Sequence, residues 1–145
     1  MYYIEEARFV KSAGSSSSYT LDPQKLQECE GIMDQIYQEN PNYWPYGLSP
    51  SHMDGGLYMV RQASDNSPVG FVGWQERKRG HEKIGYYSVG ILPQHRKMGF
   101  AKEAVRRLIA KKASGVDRVV AMILKGNEKS EGLARNLGVA VESVG

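Results

Sequence analysis

The chain has 145 residues, one cysteine, and 19 basic against 16 acidic side chains, enough for one domain that buries its own core without disulfide staples. Charged residues make up 24% and apolar ones 41%, as in an ordinary soluble globular protein, and so slight a basic excess gives no argument for a nucleic-acid partner. The lone Cys29 excludes an internal disulfide and suits a reducing compartment; no apolar run approaches the ~20 residues of a membrane span, and the acidic start from Met1 to Arg8 has no signal-peptide pattern. The expected location is the cytoplasm, with no membrane partner.

Tyr2 to Val10 reads as a first strand and the serine-glycine run Ser12 to Ser18 as a loop. Asp22-Pro23 has cap and first-position chemistry for a helix that sets Leu26, Cys29, Ile32, Met33, Ile36 and Tyr37 on one face and stops near Asn40-Pro41. In that setting Cys29 is either a buried structural thiol or a nucleophile with no histidine near it in sequence. The stretch Tyr43-Trp44-Pro45-Tyr46 then breaks regular structure while concentrating aromatic rings. Leu57 to Gln62 and Val69 to Gln75 are predicted strands joined by the turn Ser64 to Pro68, and Ile84 to Leu92 follows a turn around Gly80.

Six residues, Arg96-Lys97-Met98-Gly99-Phe100-Ala101, lead from that strand into an amphipathic run with Ala101, Ala104, Val105, Leu108, Ile109 and Ala113 at helical spacing. Such a loop points several backbone N–H groups of a helix start at one place, which suits an anion and in particular a pyrophosphate. Gly99 matters because a side chain there would occupy the space of the phosphate oxygens, while Arg96 and Lys97 add positive charge. Val116 to Leu124 is a nearly continuous apolar run, expected to be buried on both faces beside a parallel neighbour through a right-handed crossover. A shorter helix from Ser130 to Leu137 ends at Gly138, and Val139 to Val144 forms a last strand. His52, His81 and His95 lack metal-ligand spacing and are read as surface or loop residues, so no metal is expected.

The segment Ile91-Leu92-Pro93-Gln94-His95 followed by Arg96 to Ala101 resembles the hallmark of the GNAT superfamily of acyl-CoA-dependent N-acyltransferases: Arg or Gln, two residues, Gly, one residue, then Gly or Ala, after a strand ending near a proline. The order of predicted elements is also similar. The resemblance implies an α/β fold with a mixed, mostly antiparallel sheet, splayed parallel central strands and flanking helices, in a single domain over residues 1–145. A further C-terminal strand usual in the family is missing from the sequence, which suggests a fragment of a longer polypeptide, or a homodimer or parent polypeptide that completes the sheet edge.

By motif position, the backbone groups of Val89 and Ile91 would meet the pantetheine arm of acetyl-CoA, with Gly90 leaving room for a local irregularity. Amides from Lys97 through Met98, Gly99 and Phe100 to Ala101 would hold the pyrophosphate, with Asn127 and Ser130 completing the donor site; Asn127 after Gly126 is also what a plain turn would use. Two family helpers are absent: the tyrosine after the Leu133 position is Ala134, and the fourth-strand glutamate position is Gly85. If Gly80-His81 is a two-residue hairpin turn, counting outward sets Glu76 opposite Gly85 and Trp74 opposite Tyr87, making Glu76 a candidate base over the space left by the glycine, with Tyr87 as the alternative polar group. The rings of Tyr43, Trp44 and Tyr46 are candidates to line an acceptor pocket or to pack under their loop. The leading function is N-acetyl transfer from acetyl-CoA to an amine of a small molecule or protein; the second is a weak or inactive acyl-CoA-binding domain with an assembly or regulatory role in a larger protein.

Overall fold

A computed structural model of the chain describes residues 2–8, 23–44, 47–49, 52–96 and 98–144. The Ser12 to Ser18 stretch, the Asp22 cap, Tyr46 and Lys97 therefore lie outside the described residues. Among the described residues, six strands form one sheet in chain order: β1 (Tyr2–Arg8), β2 (Gly56–Gln62), β3 (Pro68–Arg79), β4 (Glu82–Ile91), β5 (Arg118–Leu124) and β6 (Ala140–Val144). The first four pair antiparallel, while β4 with β5 and β5 with β6 are parallel. Among the described residues, three α-helices connect them: α1 (Pro23–Glu39), α2 (Phe100–Lys112) and α3 (Glu128–Leu137).

Period-two alternation divides the core. On β2, Leu57 and Met59 join Cys29, Ile32, Met33 and Ile36 of α1 on one face, whereas Tyr58 and Val60 join Phe100, Ala104, Val105 and Leu108 of α2 on the other. Each large side chain buried this way contributes about 1.5–3 kcal/mol relative to exposure. Cys29 is fully buried, and its thiol is pushed up to about 12, with loss of hydration as the first cause and the neighbouring Glu28 as the second. That leaves the thiol protonated and unreactive, which decides for the structural reading of this residue.

Two expectations about the central strands need correction. β5 is buried on both faces only in part: Ala121 and Ile123 are buried on the α2 side and Val120 is buried on the opposite face, but Met122, on the face of Val120, is 38% exposed. The reason is that α1 packs over β1, β3 and β4 and leaves that face of β5 less covered. Gly90 does not create an irregularity either, since the β3–β4 register runs unbroken from Gly70 opposite Ile91 to Arg79 opposite Glu82. Its lack of a side chain serves packing, because a Cβ there would sit 2.6 Å from Phe71 Cε1 and 3.1 Å from Ile36 Cδ1. The hairpin register itself is the one counted from the sequence, with Gly80, at φ 62°, opening a two-residue turn.

Candidate active site

β4 and β5 pair only from Ile84 to Tyr86 against Arg118 to Val120. That end is pinned: Asp117 N–H donates to the Lys83 carbonyl, Lys83 N–H donates to Asp117 Oδ2, both at 2.7 Å, and Arg118 pairs with Glu82 at 2.9 Å. Beyond Tyr86 the strands part. Leu92 N–H donates to Val69 C=O across the β3–β4 pair, so by alternation Gly90 and Ser88 also turn their backbone groups to β3, and Val89 and Ile91 turn theirs toward the gap. The gap opens a cleft of about 890 Å³ whose walls include every residue from Tyr86 to Ile91 on one side and Ala121 to Leu124 on the other. Consecutive residues line it, so it follows the strand edge and passes from one sheet face to the other.

At the end of this gap Gly99 takes a left-handed conformation, φ 80° and ψ 6°, as the cap of α2, and no side chain caps the helix start. Glu103 N–H is bonded to the Gly99 carbonyl, and the first-turn residues Ala101 and Lys102 line the cleft. A Cβ on Gly99 would meet no protein atom within 4 Å, so the space beside it is open to a ligand. Across the cleft α3 begins with Asn127, whose Oδ1 accepts from Ser130 N–H at 3.3 Å, and Asn127, Lys129 and Ser130 all line the cavity. The two helix starts with their lysines thus meet at one end of a slot edged by unpaired strand backbone. A model of the acetyltransferase (GNAT) domain matches residues 5–140. The chain belongs to the GNAT acetyltransferase family.

Solved GNAT-type structures share its fold. An acetyltransferase of the GNAT family from Streptococcus pneumoniae superposes with a TM-score of 0.67 at 14% identity, over 95% of this chain and 84% of that one. Ribosomal-protein-alanine N-acetyltransferase from Brucella melitensis biovar Abortus 2308 gives 0.64 at 14% over 99% and 95%, and glucosamine-6-phosphate N-acetyltransferase from Arabidopsis thaliana gives 0.62 at 11% over 100% and 95%. No curated protein matches the sequence. The GNAT family is one of acyl-CoA-dependent N-acyltransferases, and the fold expected from the sequence is the one observed, with β6 in place beside β5.

Within this GNAT domain the residues singled out from the sequence separate into groups. Val89, Ile91, Gly99, Phe100, Ala101, Asn127 and Ser130 share the cleft wall, but Met98 is 65% exposed and does not line it. Arg96 also lines the cleft, yet its charge is committed. Its guanidinium grips Glu39 at the end of α1 through both carboxylate oxygens, and its Nε donates to the Ile91 carbonyl at 3.0 Å. That contact holds the Glu39 carboxyl below the usual carboxylate range, the hydrogen bond from Arg96 first and its charge and that of Lys129 adding to it. Among the described residues, the positive charge left at the helix starts belongs to Lys102 and Lys129, which sequence reasoning had not placed in the site; their positions in the first turns of α2 and α3 were the available signal.

Glu76 stands opposite Gly85 as counted, but it does not reach the cleft. The space left by Gly85 is filled by the indole of Trp74, which is fully buried and whose Nε1 donates to Glu76 Oε2 at 3.0 Å; Lys83 holds the other carboxylate oxygen at 3.2 Å. Counting outward from the two-residue turn could not reveal this, because it fixes which face a side chain takes and not what fills that face. Tyr87, on the same face, does line the cleft. Burial pushes its phenol up to about 12, so it is protonated at neutral pH and acts as a hydrogen-bond donor.

On the acceptor side, Tyr43 and Trp44 both line the cleft, and Trp44 packs its ring against Phe71 at 6.1 Å, so it serves core and wall together. His52 and His95 are cleft residues too, against the expectation of plain loop positions: the His52 carbonyl accepts from the Gln75 amide, and His95 meets Phe100 edge to face at 5.9 Å. His81 is exposed in the β3–β4 turn.

Proposed function

We propose that this protein transfers an acetyl group from acetyl-CoA to an amine by direct attack. The observation that carries the reading is the strand gap running from Tyr86 to the Gly99 cap: one side offers the backbone N–H and C=O of Val89 and the N–H of Ile91, and the end offers first-turn amides beside Lys102 and Lys129. An extended amide-bearing arm suits such an edge in the way that a strand does, and a pyrophosphate suits the helix start. When bound, acetyl-CoA supplies a thioester carbonyl that an amine converts to an amide as the C–S bond breaks. Val89 orients the arm, Ala101 and Lys102 hold the phosphates through main-chain N–H groups, and the aromatic walls exclude water.

Tyr87 serves the departing sulfur. Full proton transfer from a phenol near 12 to a thiolate, whose acid lies near ~8.5, is uphill. Tyr87 therefore donates a hydrogen bond to the sulfur, and water completes the protonation. The amine arrives neutral or yields its proton to water, since the one carboxylate that lines the cleft among the described residues, Glu39, is held by Arg96. Losing a hydrogen bond to a charged atom costs about 1.5–3 kcal/mol, so Tyr87→Phe should lower kcat by about ten- to a hundredfold while acetyl-CoA affinity by calorimetry stays the same. An unchanged kcat would remove Tyr87 from the reaction. The same variant has a stability signature. A phenol raised in the folded state supports folding below about pH 10, and the support is lost as pH rises toward about 12. Tyr87→Phe should flatten that alkaline fall.

Calorimetry with acetyl-CoA and CoA, followed by thiol release over a panel of amines, tests the whole reading. Binding with turnover is expected, and binding without any turnover would favour an acyl-CoA-binding domain. The charges are separable as well: Lys102→Ala with Lys129→Ala should weaken acetyl-CoA by about tenfold at low salt and less at high salt, whereas Arg96→Ala, whose charge Glu39 already neutralises, should change it by less than about threefold. Equal losses in the two variants would count against this division of charge.

A further inference from the structure

His52 is a half-buried cleft residue whose ring has no hydrogen-bond or ionic partner among the described residues. Its backbone is engaged on both sides: the N–H donates to the Ser49 carbonyl at 3.0 Å, and the carbonyl accepts from the Gln75 side-chain amide. With both backbone groups turned into the protein, the imidazole is the polar part of His52 left to face the cleft.

Two contacts fix its place along the slot. Gln75, which holds the His52 carbonyl, stands directly opposite Tyr86, the last β4 residue paired with β5, and a Cβ on Gly73 would run into the side chain of Met53. Gly73 and Gln75 share the α1 face of β3 with Phe71, so His52 stands over that face where the two strands begin to part. Tyr87, one residue beyond Tyr86, belongs to the opposite, α2 face. Other groups are placed or paired elsewhere. Lys102 and Lys129 are cations at the helix starts, Glu39 is gripped by Arg96, and Tyr87 keeps its proton. His95 is one residue before Arg96, with its ring edge-on to Phe100 at the start of α2. Imidazole is the commonest general base near neutral pH.

We propose that His52 is the general base of the transfer, its imidazole taking the proton of the acceptor nitrogen through one water on the α1 face while the sulfur leaves beside Tyr87 on the α2 face. The proposal rests on the acetyl-transfer reading and adds a catalytic residue to that same site. The C–N bond forms as the C–S bond breaks; the nitrogen's proton passes by the water to His52 and then to solvent, and the thiolate is protonated by water.

With phenethylamine as acceptor and thiol release as the signal, His52→Gln should lower kcat about a hundredfold while acetyl-CoA affinity by calorimetry stays within about twofold. In His52→Ala, added imidazole should recover about tenfold or more of the lost rate, and in Tyr87→Phe it should recover none. Neither effect belongs to a merely structural side chain. A further readout does not depend on the choice of acceptor: without amine, water takes its place, and slow hydrolysis of acetyl-CoA by the wild-type protein should fall by a similar factor in His52→Gln. Failure of the wild-type protein to bind acetyl-CoA overturns the acetyl-transfer reading and this proposal with it. Donor binding with neither phenethylamine turnover nor hydrolysis, an unchanged kcat in His52→Gln, or a loss in His52→Ala that imidazole does not restore overturns the proposal alone.

Discussion

Glutamate at position 99 is expected to weaken acetyl-CoA by more than about a hundredfold. Two separate effects act there. Gly99 holds φ 80°, where any L side chain is strained by about 1–2 kcal/mol. The ideal Cβ meets no protein atom within 4 Å, so the new side chain occupies ligand space and not a packed wall. A carboxylate about 5 Å from one phosphate charge, at an effective dielectric of about 20, adds roughly 3 kcal/mol of repulsion. Gly99→Ala separates the two, since it carries the backbone strain with little of the obstruction and none of the charge. Both variants should lose similar amounts of thermal stability, while calorimetry should find the alanine variant much closer to wild type in affinity. If the glutamate variant bound within tenfold of wild type, the pyrophosphate would have to sit elsewhere.

The second large effect is on folding. A methyl group at Gly85 would fall inside the indole of Trp74 at Cζ2 and Cη2, and would lie 2.9 Å from Cε2. Trp74 has no freedom to yield: it is fully buried, tied to Glu76, and approached from another side by Gly55, where a Cβ would stand 2.9 Å from the Trp74 carbonyl oxygen. Overpacking of this kind costs about 1–3 kcal/mol or more when the backbone must move, so Gly85→Ala should lower Tm by about 5–15 °C. Gly85→Glu adds the burial of a carboxylate and should fail to fold stably. Restoring the glutamate common at this position in the family would thus destroy the domain and create no base. Trp74→Leu tests the cause, because in that background Gly85→Ala should lose most of its penalty in a double-mutant cycle. A Gly85→Ala protein as stable as wild type would show that the indole moves easily.

Much of the donor half of the site is a local matter. The strand before Pro93, the glycine at 99, the amphipathic run after it and the Asn127 to Ser130 helix start are each written in fewer than about fifteen consecutive residues, and all line the same cleft. In the proposed site backbone groups carry the binding, so residue spacing alone holds the information. The hairpin register was legible for the same reason, since a two-residue turn at Gly80-His81 sets every pair from Arg79 opposite Glu82 inward. The chemistry of side chains was not. Arg96 looked like a phosphate ligand until Glu39, 57 positions away, took its charge; Glu76 looked like a base until the Trp74 indole filled the space in front of it.

The sequence by itself determined the family, the strand and helix order, and the glycine-capped start of α2, because each follows from short-range periodicity and turn chemistry. Only the tertiary structure decided that Arg96 is paired with Glu39, that the Trp74 indole fills the space beside Gly85, and that Tyr87 faces the cleft with its phenol kept protonated by burial. The physical reason is that hydrogen bonds, ion pairs and burial are made between elements distant in sequence, and their balance is set by what packs where.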